Sequence, residues 1–219
     1  MRMAAYVNAL AKNGRLISRC FSRVVNSRGI HDEPVYELRT YSIYPKDFKA
    51  FIQLSAEHLH LRTKHSKLIG YWTSEIGGIN DVVHIWEYDC LKHRADVRQA
   101  LGNDPDWLAQ YIKKILPMLD RQDNALLKLT RKSSLVQTDS GGVYELCCTE
   151  KPLKDLPVTR GDAQLLGTFS SLIGSLSSSY QLWHHKSVDD IVTSAAEGSY
   201  KPYCTKSRLL LPTAWSPMK

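Results

Sequence analysis

The chain has 219 residues, is 43% hydrophobic and 23% charged, and carries a formal net charge of +7. That length and balance allow a sizeable buried core and exclude a largely disordered chain. No apolar run reaches the roughly 18 to 20 residues of a membrane-spanning helix, so no transmembrane segment is expected.

The positive charge is local. Residues 1–21 hold Arg2, Lys12, Arg15 and Arg19 without a single acid, which points away from a nucleic-acid partner and towards an address signal. Tyr6, Val7, Leu10, Leu16, Ile17 and Phe21 alternate with those charges, the composition of an amphipathic mitochondrial targeting peptide. Arg19-Cys20-Phe21-Ser22 is similar to a matrix processing site, with Arg19, Phe21 and Ser22 as the processing residues and Ser22 as the mature start. A polar linker is expected at 22–34.

Val35 to Ile43 alternates as a strand and stops before Pro45. From Lys46 the apolar spacing becomes helical through Phe48, Phe51, Ile52 and Leu59, predicting an amphipathic helix over 46–64. Leu68 to Asp89 reads as a hairpin: two runs rich in β-branched and aromatic residues, broken by Gly78-Ile79-Asn80-Asp81. Leu91, Ala95, Val97 and Leu101 mark a second helix, stopped by Gly102 and Asn103. Asp104-Pro105 restarts a helical segment through Trp107, Tyr111 and Ile115. Asn124 to Thr130 is then the fourth strand. This β-α-β-β-α-β order predicts a ferredoxin-like domain over 35–131, followed by a Ser- and Gly-rich linker at 132–142.

The remainder repeats it. Leu165-Leu166-Gly167 echoes Leu68-Ile69-Gly70, and Leu182-Trp183 echoes Ile85-Trp86, both 97 positions later. Val143-Tyr144-Glu145-Leu146 echoes Val35-Tyr36-Glu37-Leu38 108 positions later, so the first connection is shorter in the second copy, and it contains Pro152 and Pro157. The fold class is therefore α+β, with two tandem ferredoxin-like units of the dimeric α/β barrel type. The second unit, 143–219, is eroded and thinly covered by helix, and the barrel closes within the chain or with a second copy.

His60-Leu61-Arg62-Thr63, Leu68-Ile69-Gly70-Tyr71-Trp72, Val83-His84-Ile85-Trp86-Glu87-Tyr88 and the closing Pro212-Thr213 with Ser216-Pro217 together resemble the NIPSNAP family. The resemblance implies a mitochondrial protein of α/β barrel domains that acts as an adaptor for protein partners, including autophagy machinery, in mitochondrial quality control or trafficking. The shortened second domain departs from the family pattern.

Alternation puts Glu37, Arg39 and Tyr41 on one face of their strand, and His84, Trp86 and Tyr88 on one face of theirs. This polar face is expected on the helix-free side of the sheet, with Leu38, Val83 and Ile85 meeting the helices. Were the protein an enzyme, Glu37, Arg39 and His84 would be its catalytic candidates, with Tyr41, Trp86 and Tyr88 lining a haem or quinol pocket as in monooxygenase-like barrels. The repeat argues for structure instead, since Arg39 becomes Cys147 and His84 becomes Gln181 while Trp86 persists as Trp183. His58, His60 and His65 lack a carboxylate at ligand spacing, and the five cysteines form no CxxC pair, so neither a metal nor a cofactor is expected. Arg62 and Lys64 are expected at helix C-terminal carbonyls or on an exposed rim. The sequence favours a non-catalytic interaction module over a ligand-binding or monooxygenase-like barrel.

Overall fold

Eight antiparallel strands close into one barrel within a single chain. The structure is a computed structural model that describes residues 33–130, 135, 138, 141–150, 155–196 and 204–219. The targeting segment with Arg19, Phe21 and Ser22, nearly all of the 22–34 linker and most of the 132–142 joint lie outside the described residues.

The strands are β1 (Val35–Ile43), β2 (Lys67–Ile76), β3 (Asp81–Tyr88), β4 (Leu119–Leu129), β5 (Val143–Thr149), β6 (Gln164–Ile173), β7 (Ser179–His185) and β8 (Lys206–Pro212). Around the barrel they run β1-β3-β2-β8-β5-β7-β6-β4. The first four lie in the order β4-β1-β3-β2 and the last four in the order β8-β5-β7-β6. Each group of four has two open edges, and each edge pairs with the other group, through Thr73↔Leu211 and Leu127↔Ser171. Closure leaves no unpaired edge to recruit another chain.

Among the described residues the longer helices, packed outside, are α1 (Phe48–His58), α2 (Leu91–Asn103) and α3 (Val188–Ala196). The expected helix over 46–64 breaks at Leu59, where the Arg62 amide turns back three residues onto the Leu59 carbonyl before a short turn at His60–Thr63. Gly102 and Asn103 do not stop α2. The residue before Pro105 does: Asp104 is forced extended, at φ −80° and ψ 110°. Its Oδ1 then caps the next segment by accepting from the amides of Asp106 and Trp107 at 2.9 and 3.0 Å. That segment is π-helical over Trp107–Ile112 before Lys113–Ile115. β4 begins at Leu119, five residues before the expected Asn124, because β1 needs backbone partners to its end; Tyr41 pairs Gln122 and Ser42 pairs Arg121.

Two apolar layers result. Tyr36, Leu38, Trp72, Val83, Ile85, Tyr144, Phe169 and Leu182 fill the barrel, where rings of strands that are not neighbours meet: Tyr36 with Phe169 at 5.4 Å and Trp72 with Tyr144 at 5.5 Å. The closing segment plugs one end, with Met218 fully buried, Ser216 Oγ accepting from the Tyr71 amide, and the Tyr144 hydroxyl donating to the Lys219 carbonyl. The second layer lies between the first four strands and their helices and contains Tyr41, Phe51, Tyr71, Val82, Trp86, Tyr88, Trp107 and Tyr111. Between β5 and β6 there is no α-helix among the described residues.

Candidate functional site

Glu37, Arg39, Tyr41, His84, Trp86 and Tyr88 do share a face, but it is the face beneath the helices. Leu38, Val83 and Ile85 point into the barrel. The expected orientation is reversed because the barrel closes within the chain: Leu38, Val83 and Ile85 meet the apolar side chains of the facing strands, and the opposite face lies under the helices.

Glu37 is 1% exposed and is held by four hydrogen bonds from three side chains. Arg94, from α2, grips it through Nε to Oε2 at 3.2 Å and Nη2 to Oε1 at 2.7 Å. Asn124 Nδ2 donates to Oε1 at 2.6 Å, and the Tyr88 hydroxyl donates to Oε2 at 3.2 Å. Burial by itself raises the pKa of this carboxyl, but Arg39, Arg94 and Arg62 outweigh it and hold the group well below the usual carboxylate range. Glu37 is an ionised anchor, and its lone pairs are already taken.

Arg62 does stand in the last turn of the short helical segment His60–Thr63, but not on an exposed rim. It is buried, with its guanidinium carbon 3.8 Å from the Trp86 ring centroid and Nη2 donating to the Tyr88 hydroxyl at 3.1 Å. With Arg39 and Arg98 it borders a cavity of about 80 Å³ that also meets Tyr41, Tyr88, Gln122, Val97, Leu101, Trp107, Ile112 and Ile115. Burial, then Arg94 and Arg39, lower the proton affinity of Arg98, the mark of cations crowded together. The pocket thus has a cationic wall and an apolar wall.

His84 and Trp86 belong to the layer but not to the cavity wall. His84 Nδ1 accepts from Trp86 Nε1 at 2.6 Å, and its ring stacks on Tyr71 with centroids 4.7 Å apart and planes 6° from parallel. Burial first, then Arg39 and Arg62, push its pKa well below the ordinary histidine value. It is neutral at physiological pH. Beside it the Ser55 and Tyr111 hydroxyls share a 2.8 Å hydrogen bond. His58, His60 and His65 are separately engaged, His60 with the Glu57 carbonyl and His65 beside Asp104. Among the described residues no group of three His, Cys, Asp or Glu side chains could hold a metal ion.

The second group of strands repeats the buried charges, contrary to the expectation that only packing survives there. Glu145 accepts from Arg160 Nη1 at 2.9 Å, Arg160 lies 4.4 Å from the Trp183 ring centroid, and His185 Nε2 is 3.4 Å from Glu145. Glu145, Arg160, Trp183 and His185 take the parts of Glu37, Arg62, Trp86 and Tyr88. Arg160 follows Arg62 by 98 positions, one more than the hairpin offset, and that near-match was the available signal. Arg94 and Arg98 gave none, because exposed-looking arginines on a polar helix are ordinary. In this second cluster Arg160 turns to Glu145 and to Cys147 Sγ, at 3.3 Å from both Nη1 and Nη2.

The sequence was compared with known proteins. The NIPSNAP family profile matches residues 36–134. Human protein NipSnap homolog 3A is 31% identical over 99% of this chain and 98% of its own length. The chain belongs to the NIPSNAP family. Human protein NipSnap homolog 3B is 34% identical, covering 86% of this chain and 87% of that protein. The family profile spans β1 to β4, and therefore the whole of the arginine pocket. A crystal structure from Lactobacillus acidophilus NCFM, provisionally described as a monooxygenase, superimposes with a TM-score of 0.57 over 84% of this chain and 95% of its own, at 10% identity. That likeness is one of fold alone, and it places this NIPSNAP chain among dimeric α/β barrel-type folds.

Proposed function

We propose that this NIPSNAP-family protein binds a small apolar anion, a short-chain or cyclic carboxylic acid, between the first four strands and their helices, and does not act on it covalently. The observation that carries this is the charge surplus around Glu37: four guanidinium groups, from Arg39, Arg62, Arg94 and Arg98, surround one carboxylate that is already gripped by Arg94. Among the described residues neither Arg62 nor Arg98 has a carboxylate within salt-bridge distance. A carboxylate ligand matches the planar fork of a guanidinium, and the desolvated setting strengthens the pairing. Val97, Leu101, Trp107 and Ile112 would take its apolar part.

A cavity of about 80 Å³ is well below the ~300–1,000 Å³ of drug-sized sites. It favours a small acid over a haem or a quinol. A neutral His84 away from the cavity wall supports binding without acid–base chemistry. Calorimetric titration with branched short-chain acids and their neutral amides tests the reading. The acids should bind and the amides fail, with affinity falling at least about tenfold in Arg98→Met. Equal binding of acid and amide, or no binding of any acid, would overturn it.

The repeated strand order and the repeated Glu–Arg–Trp set support descent of 35–131 and 143–219 from one duplicated ferredoxin-like unit. Kinship with NipSnap proteins and the basic segment 1–21 support a mitochondrial destination, which an import assay with Arg19→Ala checks. A second reading, an adaptor for protein partners in mitochondrial quality control, draws on one surface feature. Ile76 and Ile79, and Ile173 and Leu176, are 63%, 79%, 63% and 73% exposed at the tips of two hairpins. Because every strand alternates in direction, both tips stand at the same end of the barrel. Pull-down from intact mitochondria should lose partners in the Ile79→Ser, Leu176→Ser double variant; unchanged partners would count against the adaptor reading.

A further inference from the structure

The two ends of the barrel differ. The closing segment fills the end beside Tyr71 and Tyr144, where Met218 is fully buried. At the other end, where β1, β2, β5 and β6 finish and β3, β4, β7 and β8 begin, the interior opens into a cup of about 250 Å³. Its floor is apolar: Leu38, Ala125 and Leu146 are each at most 9% exposed. Its wall adds Tyr180 and Cys148, and its rim carries Arg121, Lys206 and Arg208. The cup is separate from the arginine pocket because β1 alternates between them. Leu38 and Thr40 line the cup, while Arg39 and Tyr41 line the pocket beneath the helices.

The rim has a charge to spare. Arg121 Nε meets Asp123 at 2.7 Å, and Arg208 Nη1 meets Asp81 at 2.7 Å. Among the described residues no carboxylate lies within salt-bridge distance of the Lys206 ammonium. Lys206 is exposed and begins β8 opposite Cys148. Its long side chain can lie along the apolar wall while the charge stays in water. Ser175 brings the β6–β7 tip to the same mouth, and Ile173 and Leu176 are exposed beside it.

We propose that this cup binds a medium-chain fatty acid, with the hydrocarbon tail on Leu38, Ala125 and Leu146 and the carboxylate at Lys206. The order of the surfaces selects the class. An apolar floor under a cationic rim fits a molecule that is apolar at one end and anionic at the other. Arg121 and Ala125 are four residues apart on β4, at most about 13 Å along the strand. A short acid therefore reaches the rim or the floor, and a medium-length chain reaches both. A sugar or a nucleobase would leave polar groups unpaired against the floor.

Calorimetric titration of the full-length chain with butanoate, hexanoate, octanoate and decanoate tests the assignment. Affinity should rise about three- to fourfold for each methylene that the floor covers. Lys206→Glu, a change at an exposed strand start that leaves the core untouched, should weaken decanoate about fivefold or more. Decanoate with a diazirine at the end of its tail, photolysed in the complex, should mark Leu38, Ala125 or Leu146 in peptide mass spectra. No binding, affinity that does not grow with chain length, or an unchanged affinity in Lys206→Glu would overturn the proposal. Labelling of Val97, Leu101 or Trp107 would overturn it too, by placing the acid in the arginine pocket, and would leave the reading of that pocket standing.

Discussion

Arg62 lies over Trp86, its guanidinium carbon 3.8 Å from the ring centroid, and neither residue is exposed beyond 6%. The contact ties the end of the α1 region to β3 and places one charge at the mouth of the cavity. Arg62→Met keeps much of the volume but loses the cation, so we expect a loss of about 2 kcal/mol, the size of a desolvated cation–π contact. Urea denaturation at neutral pH measures it, and a loss indistinguishable from zero would mean that the arginine is there for the ligand alone.

Glu37→Gln leaves Arg94 and Arg39 facing a neutral amide. Removing one partner of a buried ion pair costs about 3–5 kcal/mol. The pKa of Glu37 is depressed in the folded protein, so its stabilising contribution is complete above the unfolded carboxylate value of about 4.3 and is lost as the pH falls towards the folded value. The difference between wild type and variant should therefore be full at pH 7 and shrink below about pH 4. A pH-independent difference would contradict the charge role of Glu37.

His84 is depressed too, well below its ordinary value. Below about pH 6.5 the unfolded chain takes up a proton there and the folded protein does not, so stability falls by up to roughly 1.4 kcal/mol per pH unit. Gln181 stands at the matching place in the second group of strands, and His84→Gln keeps an acceptor for Trp86 while removing the titration. Comparing denaturation midpoints at pH 7 and pH 5, the variant should be the flatter of the two.

Gly70 is roofed by the Trp72 indole. A Cβ built there would lie 2.1 Å from the ring, whereas one at Gly167 would lie 3.1 Å from Phe169. Gly70→Ala must push a fully buried tryptophan out of the barrel interior, costing about 3 kcal/mol or more, while Gly167→Ala should cost about 1 kcal/mol because the smaller ring can shift. Thermal unfolding of the two variants ranks them.

The sequence alone determined most of the strands, the position of the hairpin turn and the repeated spelling, because period-two alternation and the Gly-Ile-Asn-Asp break are local features; the structure puts Asn80 at φ 62° in that turn. It also determined which residues share a face: Glu37, Arg39 and Tyr41 did go together. What it did not determine was which side that face would be on. Alternation is blind to whether a barrel interior or a helix layer lies beyond the strand, and only the β2–β8 and β4–β6 ladders closed the sheet over Leu38, Val83 and Ile85. Arg62 comes from the short turn at His60–Thr63 and Arg94 and Arg98 from one face of α2, about thirty residues later and unremarkable on a polar helix. Tertiary packing alone brought them over one carboxylate, since a charge surplus is a property of distances in space and leaves no period along the chain.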